Sequence, residues 1–271
     1  MTGNSTFSTA WYPGLLVLHA NMKQESLFLA REARNIVSVT CYGKYIMRHN
    51  QNEDWAKLWK SIVEIAKSYP ESVVFIGGVA VYIHVSGAKD AAGFIETSHD
   101  ADFYISLADF ADLRDVEEVT ANRRLNKYQI VKDGLEYDIY LEHNNALAVP
   151  YHEVFARSTV IEGIRVACLE HLVVLKLNAW QDRRGSAKGR KDERDLIKLC
   201  WLMAKQGFDA GLVRPYLIAE QAGLLSNLPK SPEFLAVTSG NMHAARPLRE
   251  ACERVAKELA KPAKPVKRPK G

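Results

Sequence analysis

Cysteine is scarce in this 271-residue chain. Its four residues, Cys41, Cys168, Cys200 and Cys252, lie far apart and never form a Cys-x-x-Cys pair. No zinc site is therefore signalled, and all four read as free thiols. Cys168 and Cys200 sit among apolar neighbours and read as packing residues rather than nucleophiles. Long apolar runs are missing as well. Nothing approaches the roughly 20 residues needed to span a bilayer, and the segment 14–20 is too short and lacks the basic flank of a signal peptide. These absences point to a cytoplasmic protein that does not engage a membrane. No internal repeat is present.

Charge is nearly balanced, at +4 overall, but it is unevenly spread. The final eleven residues, KPAKPVKRPKG, hold four lysines, one arginine, three prolines and no acid. Residues 261–271 are thus expected to be a basic disordered tail, able to steer a polyanion or simply to keep the chain soluble.

What is present falls into four stretches. Residues 1–50 show little period and form an N-terminal extension of unclear role. From Asp54, the residues Trp55, Leu58, Trp59, Ile62, Ile65, Ala66 and Tyr69 make one apolar helical stripe, stopped by Pro70. A short apolar strand follows at 73–76, then Gly77-Gly78, then an apolar helix over 79–85. Residues 87–99 read as a loop, 101–107 as a strand and 108–118 as a helix. Strands at 128–131 and 135–141 are joined at Asp133-Gly134, a strong hairpin signal. Beyond Pro150 a short strand pair turns at Glu162-Gly163. Helices then follow at 169–182, 191–205, 209–220 and 243–259. The layout is α+β: a mixed sheet with flanking helices over 51–148, then a helical region over 149–260.

Two glycines between a buried strand and a helix allow a tight turn whose backbone N–H groups can face an anion, although such a turn also serves simple close packing. The next strand is His99-Asp100-Ala101-Asp102-Phe103-Tyr104-Ile105. With a period of two, Asp100, Asp102 and Tyr104 share one face and Ala101, Phe103 and Ile105 the other. Adjacent carboxylates repel on a strand, and a divalent cation between them relieves the repulsion. In the strand 135–141, Glu136, Asp138 and Tyr140 share a face. If this strand pairs beside the first, Asp138 completes a three-carboxylate metal site with Asp100 and Asp102.

Downstream, Lys176 and Arg183 lie seven apart on one helix face, and Asp192 and Asp195 three apart on the next. Lys176 suits phosphate as a point charge, Arg183 as a bidentate fork. Asp192 could orient either cation or act as a base. The segment 184–191 between them reads as a basic loop suited to an anionic substrate.

Gly77-Gly78, Asp100-x-Asp102 and a later strand aspartate together resemble the polymerase-beta-like nucleotidyltransferase superfamily. Lys176-x-x-Ala179-x-x-x-Arg183 followed by Lys191-Asp192-x-x-Asp195-Leu196 resembles the AbiEii-like nucleotidyltransferases, which include MenT-type toxins of bacterial toxin–antitoxin systems. The resemblance covers residues 72–200. It implies a polymerase-beta-like core and an NTP-dependent nucleotidyltransferase using Mg²⁺ or Mn²⁺, with RNA or the acceptor end of tRNA as acceptor and an antitoxin protein as partner. It implies Asp100, Asp102, Lys176 and Asp192 as catalytic residues, and Gly77, Gly78, Lys176, Arg183 and Asp195 as nucleotide-binding residues. Asp100, Asp102 and Asp138 would be the metal ligands. Val79 departs from the small polar residue usual after the glycines, and the long gap from Gly78 to Asp100 implies an enlarged loop. Two alternatives stay open: a nucleotidyltransferase acting on an antibiotic or other small molecule, and a non-catalytic nucleotide- or RNA-binding module of the same fold.

Overall fold

The computed structural model describes residues 49–261. The N-terminal extension with Cys41, and the basic tail beyond Lys261, lie outside the described residues. Helix α1 spans His49–Ser68, and its apolar stripe is turned inward as expected, with Leu58 and Ile62 fully buried. Its Trp55 and Trp59 stack against Tyr82 of the next helix, with ring centroids 4.4 and 5.6 Å apart.

Strand β1 (Val74–Ile76) runs directly into α2 (Gly77–Ser86). After a short 3-10 turn at Ala92–Phe94 come β2 (Asp100–Ile105) and α3 (Leu107–Val116), which Ser106 caps by accepting from the Asp109 amide. Strands β3 (Thr120–Asn122), β4 (Lys127–Lys132) and β5 (Leu135–Leu141) follow. The β4–β5 turn has φ of 53° at Asp133 and 78° at Gly134, which suits the right-handed twist of a two-residue hairpin. Helix α4 (Tyr151–Ala156) leads to β6 (Thr159–Ile161) and β7 (Ile164–Val166).

Among the described residues these strands form one mixed sheet of seven, in the order β3-β4-β5-β2-β1-β7-β6. β2 pairs in parallel with β5, and β1 with β7; the other neighbours are antiparallel. Strands β6 and β7 come from beyond residue 148, so the sheet draws on both sides of that division. The helical region comprises α5 (Leu169–Asp182), α6 (Ala187–Gln206), α7 (Ala219–Asn227), α8 (Glu233–Val237) and α9 (Met242–Ala260). α6 is its axis, packing on α5, α9, α8 and α2. The architecture is the expected α+β arrangement, a mixed sheet with flanking helices followed by a helical region.

Some local expectations need correction. The basic segment 184–191 is not all loop: Ser186 accepts from the Gly189 amide at 2.9 Å and starts α6 at Ala187, a turn earlier than the apolar period shows. A continuous helix over 209–220 does not form. Pro215 sits in the second of two 3-10 turns, Ala210–Leu212 and Arg214–Tyr216, and α7 begins only at Ala219. Three short elements, β3, α4 and α8, are ones the sequence pattern did not mark. No helix of the described residues is long and apolar enough to cross a membrane. Cys168, Cys200 and Cys252 are free thiols, as expected.

Candidate active site

The site lies where β1 ends and α2 begins. Gly77 opens the helix at φ 63°, a left-handed conformation that L side chains rarely adopt. A Cβ built there would overlap the carboxylate of Asp102 outright. A Cβ on Gly78 would fall 2.6 Å from Ser98 Oγ and 2.7 Å from Lys191 Nζ. Gly77 is required by its backbone conformation as well as by close approach, while at Gly78 a side chain would have to shift Ser98 and Lys191. The sequence offered a phosphate turn or a packing turn; here polar side chains, Asp102, Ser98 and Lys191, sit against the glycine backbone.

Strands β2 and β5 pair in parallel with Asp102 opposite Asp138 and Asp100 opposite Glu136. Paired residues on parallel strands point to the same side of a sheet, so Asp100, Asp102 and Asp138 share one face. Further along, this face is enclosed. Tyr104, two residues beyond Asp102, is fully buried and its hydroxyl donates to the Val149 carbonyl at 2.6 Å.

Each carboxylate has a distinct environment. Asp100 accepts from Ser98 Oγ at 2.9 Å and has Lys188 Nζ at 3.7 Å. Burial opposes its charge, but Lys191, the Ser98 hydroxyl, Lys188 and Lys176 outweigh burial and hold its carboxyl below the usual range. Asp102 differs. Burial first, then the charges of Asp100 and Asp138, push its pKa up to about 7, against the pull of Lys176 and Lys127. Asp138 is engaged on both oxygens, by Lys127 Nζ and by Gln129 Nε2 at 2.9 Å.

Among the described residues, no group of three or more His, Cys, Asp or Glu side chains is arranged to hold a metal ion. The pair Asp100–Asp102 nevertheless has the chemistry of a divalent-cation site. Burial first, and then the charges of Asp100 and Asp138, favour the protonated form of Asp102, and a hard cation held by the two carboxylates would offset both effects. Asp138 could join them only by giving up Lys127.

The helical region holds its own set of ion pairs beside these residues. Lys176 Nζ lies 3.1 Å from Asp192 Oδ1 and 2.8 Å from Asp195 Oδ2, and all three side chains are buried. Arg183 forks onto Asp192, with Nε at 2.6 Å from Oδ2 and Nη2 at 3.0 Å from Oδ1. Burial opposes the Lys176 charge, yet Asp195 and Asp192 raise its pKa, and Asp102 adds to them. Asp195 is held down at about 2, since Lys176 and Lys198 outweigh its burial. The structure thus brings Lys176, Arg183, Asp192 and Asp195 together beside the carboxylates, as one mutually paired set rather than as free phosphate ligands.

The chain of pairs continues. Lys198 Nζ reaches Asp195 at 3.4 Å and Glu96 at 2.7 Å; Arg194 binds Glu96 at 2.6 Å and Glu233 at 2.8 Å. It anchors the 87–99 loop, and with it Ser98, to α6. Ser98, Glu96, Lys127, Gln129, Lys188 and Lys191 were absent from the candidate site residues. Only Lys188 and Lys191 carried a signal, as part of the basic segment. His84 of α2 places Nε2 2.8 Å from the Ala167 carbonyl.

No protein-family model matches this chain, and no curated protein matches it in sequence. Solved structures resemble it distantly. JHP933 from Helicobacter pylori is 17% identical, with a TM-score of 0.43 over 77% of this chain and 93% of that one. An antigenic nucleotidyltransferase-like protein from Paracoccidioides brasiliensis is 15% identical, with a TM-score of 0.40 over 70% and 94%. The Megavirus polyadenylate synthase is 16% identical, with a TM-score of 0.41 over 73% of this chain and 39% of that one.

Proposed function

We propose that this chain is a nucleotidyltransferase that moves a nucleotide from an NTP to an acceptor hydroxyl. The observation that carries the reading is the packing of Asp102 directly against Gly77, with Asp100 and Asp138 on the same sheet face. That arrangement sets carboxylates beside the start of α2, whose first N–H groups have no partner within the helix. Asp100 and Asp102 would hold a Mg²⁺ or Mn²⁺ ion, which when bound neutralises polyphosphate charge as the bond to the leaving pyrophosphate breaks. The acceptor oxygen attacks the α-phosphorus in line, and Asp138, beside Asp102 in register, helps to activate that hydroxyl. Arg183, held on Asp192 through Nε and Nη2, would present the remaining edge of its guanidinium to the nucleotide. Lys176 and Asp195 act from beneath, fixing Asp192 and supporting the charge of Asp102.

Within that class, we infer that the acceptor is RNA, the tRNA acceptor end in particular, and that the protein is a toxin with a cognate antitoxin protein. The AbiEii-like spacing of the Lys176, Arg183, Asp192 and Asp195 motifs supports this, as do the basic residues Arg184, Lys188, Arg190 and Lys191 ahead of and along the first turn of α6. The test is incubation with Mg²⁺, total RNA and each of the four NTPs labelled at the α-phosphate. Label should enter an RNA band, and the same NTP labelled at the γ-phosphate should leave RNA unlabelled. Absence of transfer from all four would remove the RNA acceptor. Pyrophosphate release that needs a small-molecule acceptor instead would point to the antibiotic-type activity.

A further inference from the structure

The cations of the helical region are not equally free. Lys176 is enclosed by Asp192 and Asp195, and Arg183 is committed to Asp192 through two of its nitrogens. Arg194 and Lys198 are taken by Glu96, Glu233 and Asp195. Lys191 is different: its ammonium donates to a neutral hydroxyl, Ser98 Oγ, at 3.0 Å, and among the described residues it makes no close ion pair, although its charge acts on Asp100 and Asp195. It nevertheless sits 2.7 Å from where a Cβ on Gly78 would be, against the first turn of α2. That end of a helix carries partial positive charge, which the Asp100 and Asp102 carboxylates beside it offset and which a further anion would offset more fully. Lys188, one turn earlier on the same face of α6, is exposed and reaches Asp100 only at 3.7 Å.

We propose that Lys191 and Lys188 are the cations that bind the polyphosphate chain of the nucleotide, across the Gly77-Gly78 turn from the carboxylates. The proposal rests on the nucleotidyl-transfer reading above. It names the phosphate-binding residues of that site, a role that the spacing of the motifs gave to Lys176. Ser98 is the positioning residue. It is buried, accepts from Lys191 and donates to Asp100, and so sets the distance between the cation and the carboxylate. A polyphosphate entering there would meet two ammonium groups beside the start of α2. A side chain at residue 78 would have to shift Ser98 and Lys191 from these positions.

The probe is inorganic tripolyphosphate with Mg²⁺, titrated calorimetrically into the full chain. The same solutions should displace each of the four NTPs. Wild type should bind with a stoichiometry of one. Lys191→Gln should weaken binding about tenfold, the loss expected of one charge-assisted hydrogen bond. Lys188→Gln should weaken it a few-fold, and Lys60→Gln, an exposed lysine of α1, should leave it unchanged. Lys188 is exposed enough that Lys188→Gln remains informative even if Lys191→Gln lowers the melting temperature. If wild type binds while both variants match it, the lysine assignment is overturned and the transferase reading stands. If wild type binds neither tripolyphosphate nor any NTP, both fall.

Discussion

Asp102 occupies the space that a side chain at residue 77 would fill. One of its carboxylate oxygens lies where the Cβ of any residue other than glycine would have to be. The left-handed φ of Gly77 adds a second constraint at the same position. Gly77→Ala should therefore destabilise the fold by about 2–4 kcal/mol, combining a φ penalty of about 1–2 with overpacking. Urea denaturation of Gly77→Ala, Asp102→Ala and the double variant forms a cycle. The double variant should recover the overpacking part and keep the φ penalty. Simple additivity would show that the two residues do not compete for space.

Asp102→Asn should abolish transfer while stabilising the protein. The folded pKa of Asp102, about 7, lies above its usual 3.8, so the carboxylate form weakens the native state. That loss of stability begins as pH rises past 3.8 and is complete above about 7. In EDTA at pH 8, Asp102→Asn should melt a few °C above wild type, on the order of 2 kcal/mol, and the gap should close below about pH 4. A variant less stable than wild type at pH 8 would contradict the assignment.

Asp195 works in the opposite sense. Its folded pKa is held at about 2 by Lys176 and Lys198 against burial. Its contribution is present above pH 3.8 and is lost as pH falls towards 2. Asp195→Asn should cost about 3 kcal/mol at pH 7, because it leaves buried lysines short of a partner. Its penalty relative to wild type should shrink in acid. A pH-independent difference in midpoint would mean that shape rather than charge sets the cost.

His171 lies in the core of α5, fully buried, with neither ring nitrogen hydrogen-bonded among the described residues and its ring edge-on to Tyr216 at 6.3 Å. Burial keeps its pKa below 6.5, so protonation opposes folding and stability falls as pH drops through the unfolded value. His171→Leu should raise stability by about 1 kcal/mol at pH 7 and by more at pH 5. Thermal melts at both values check this. A destabilised His171→Leu at pH 5 would point to a partner for the ring.

The carboxylate side of the site was legible because a strand has a short, strict period. Asp100, Asp102 and Asp138 could be put on one face from spacing alone, and the β2–β5 register bears out that shared face. The glycines were legible as a turn, but not what presses on them. Ser98 comes from a loop with no period, placed by Glu96 and its pairs to Arg194 and Lys198 roughly a hundred residues on. Gln129 reads only as a strand residue and Lys127 falls just outside the expected strand 128–131, since nothing local shows that antiparallel pairing puts Gln129 opposite Asp138. Charge pairing was the least legible feature. Arg183 is not on the helix face where spacing puts it: it is the C-cap just beyond α5, and it meets Lys176 through their shared partner Asp192, so which cation is neutralised depends on α6 packing against α5. The polar cap Ser186 likewise starts α6 where hydrophobic periodicity is silent.

The parallel pairing of β1 with β7 bears on how the protein is made. β1 lies inside the finished sheet, yet its second neighbour is the last strand of that sheet to leave the ribosome. At roughly 5–20 residues per second, on the order of 5–20 s separate Ile76 from Val166 during synthesis. Through that interval the Val74–Ile76 edge is an open hydrogen-bonding template beside the nascent Gly-Gly turn. Nascent chains stalled before β7 should be the species that chaperones hold and that cross-seed into aggregates, and release past Val166 should end both.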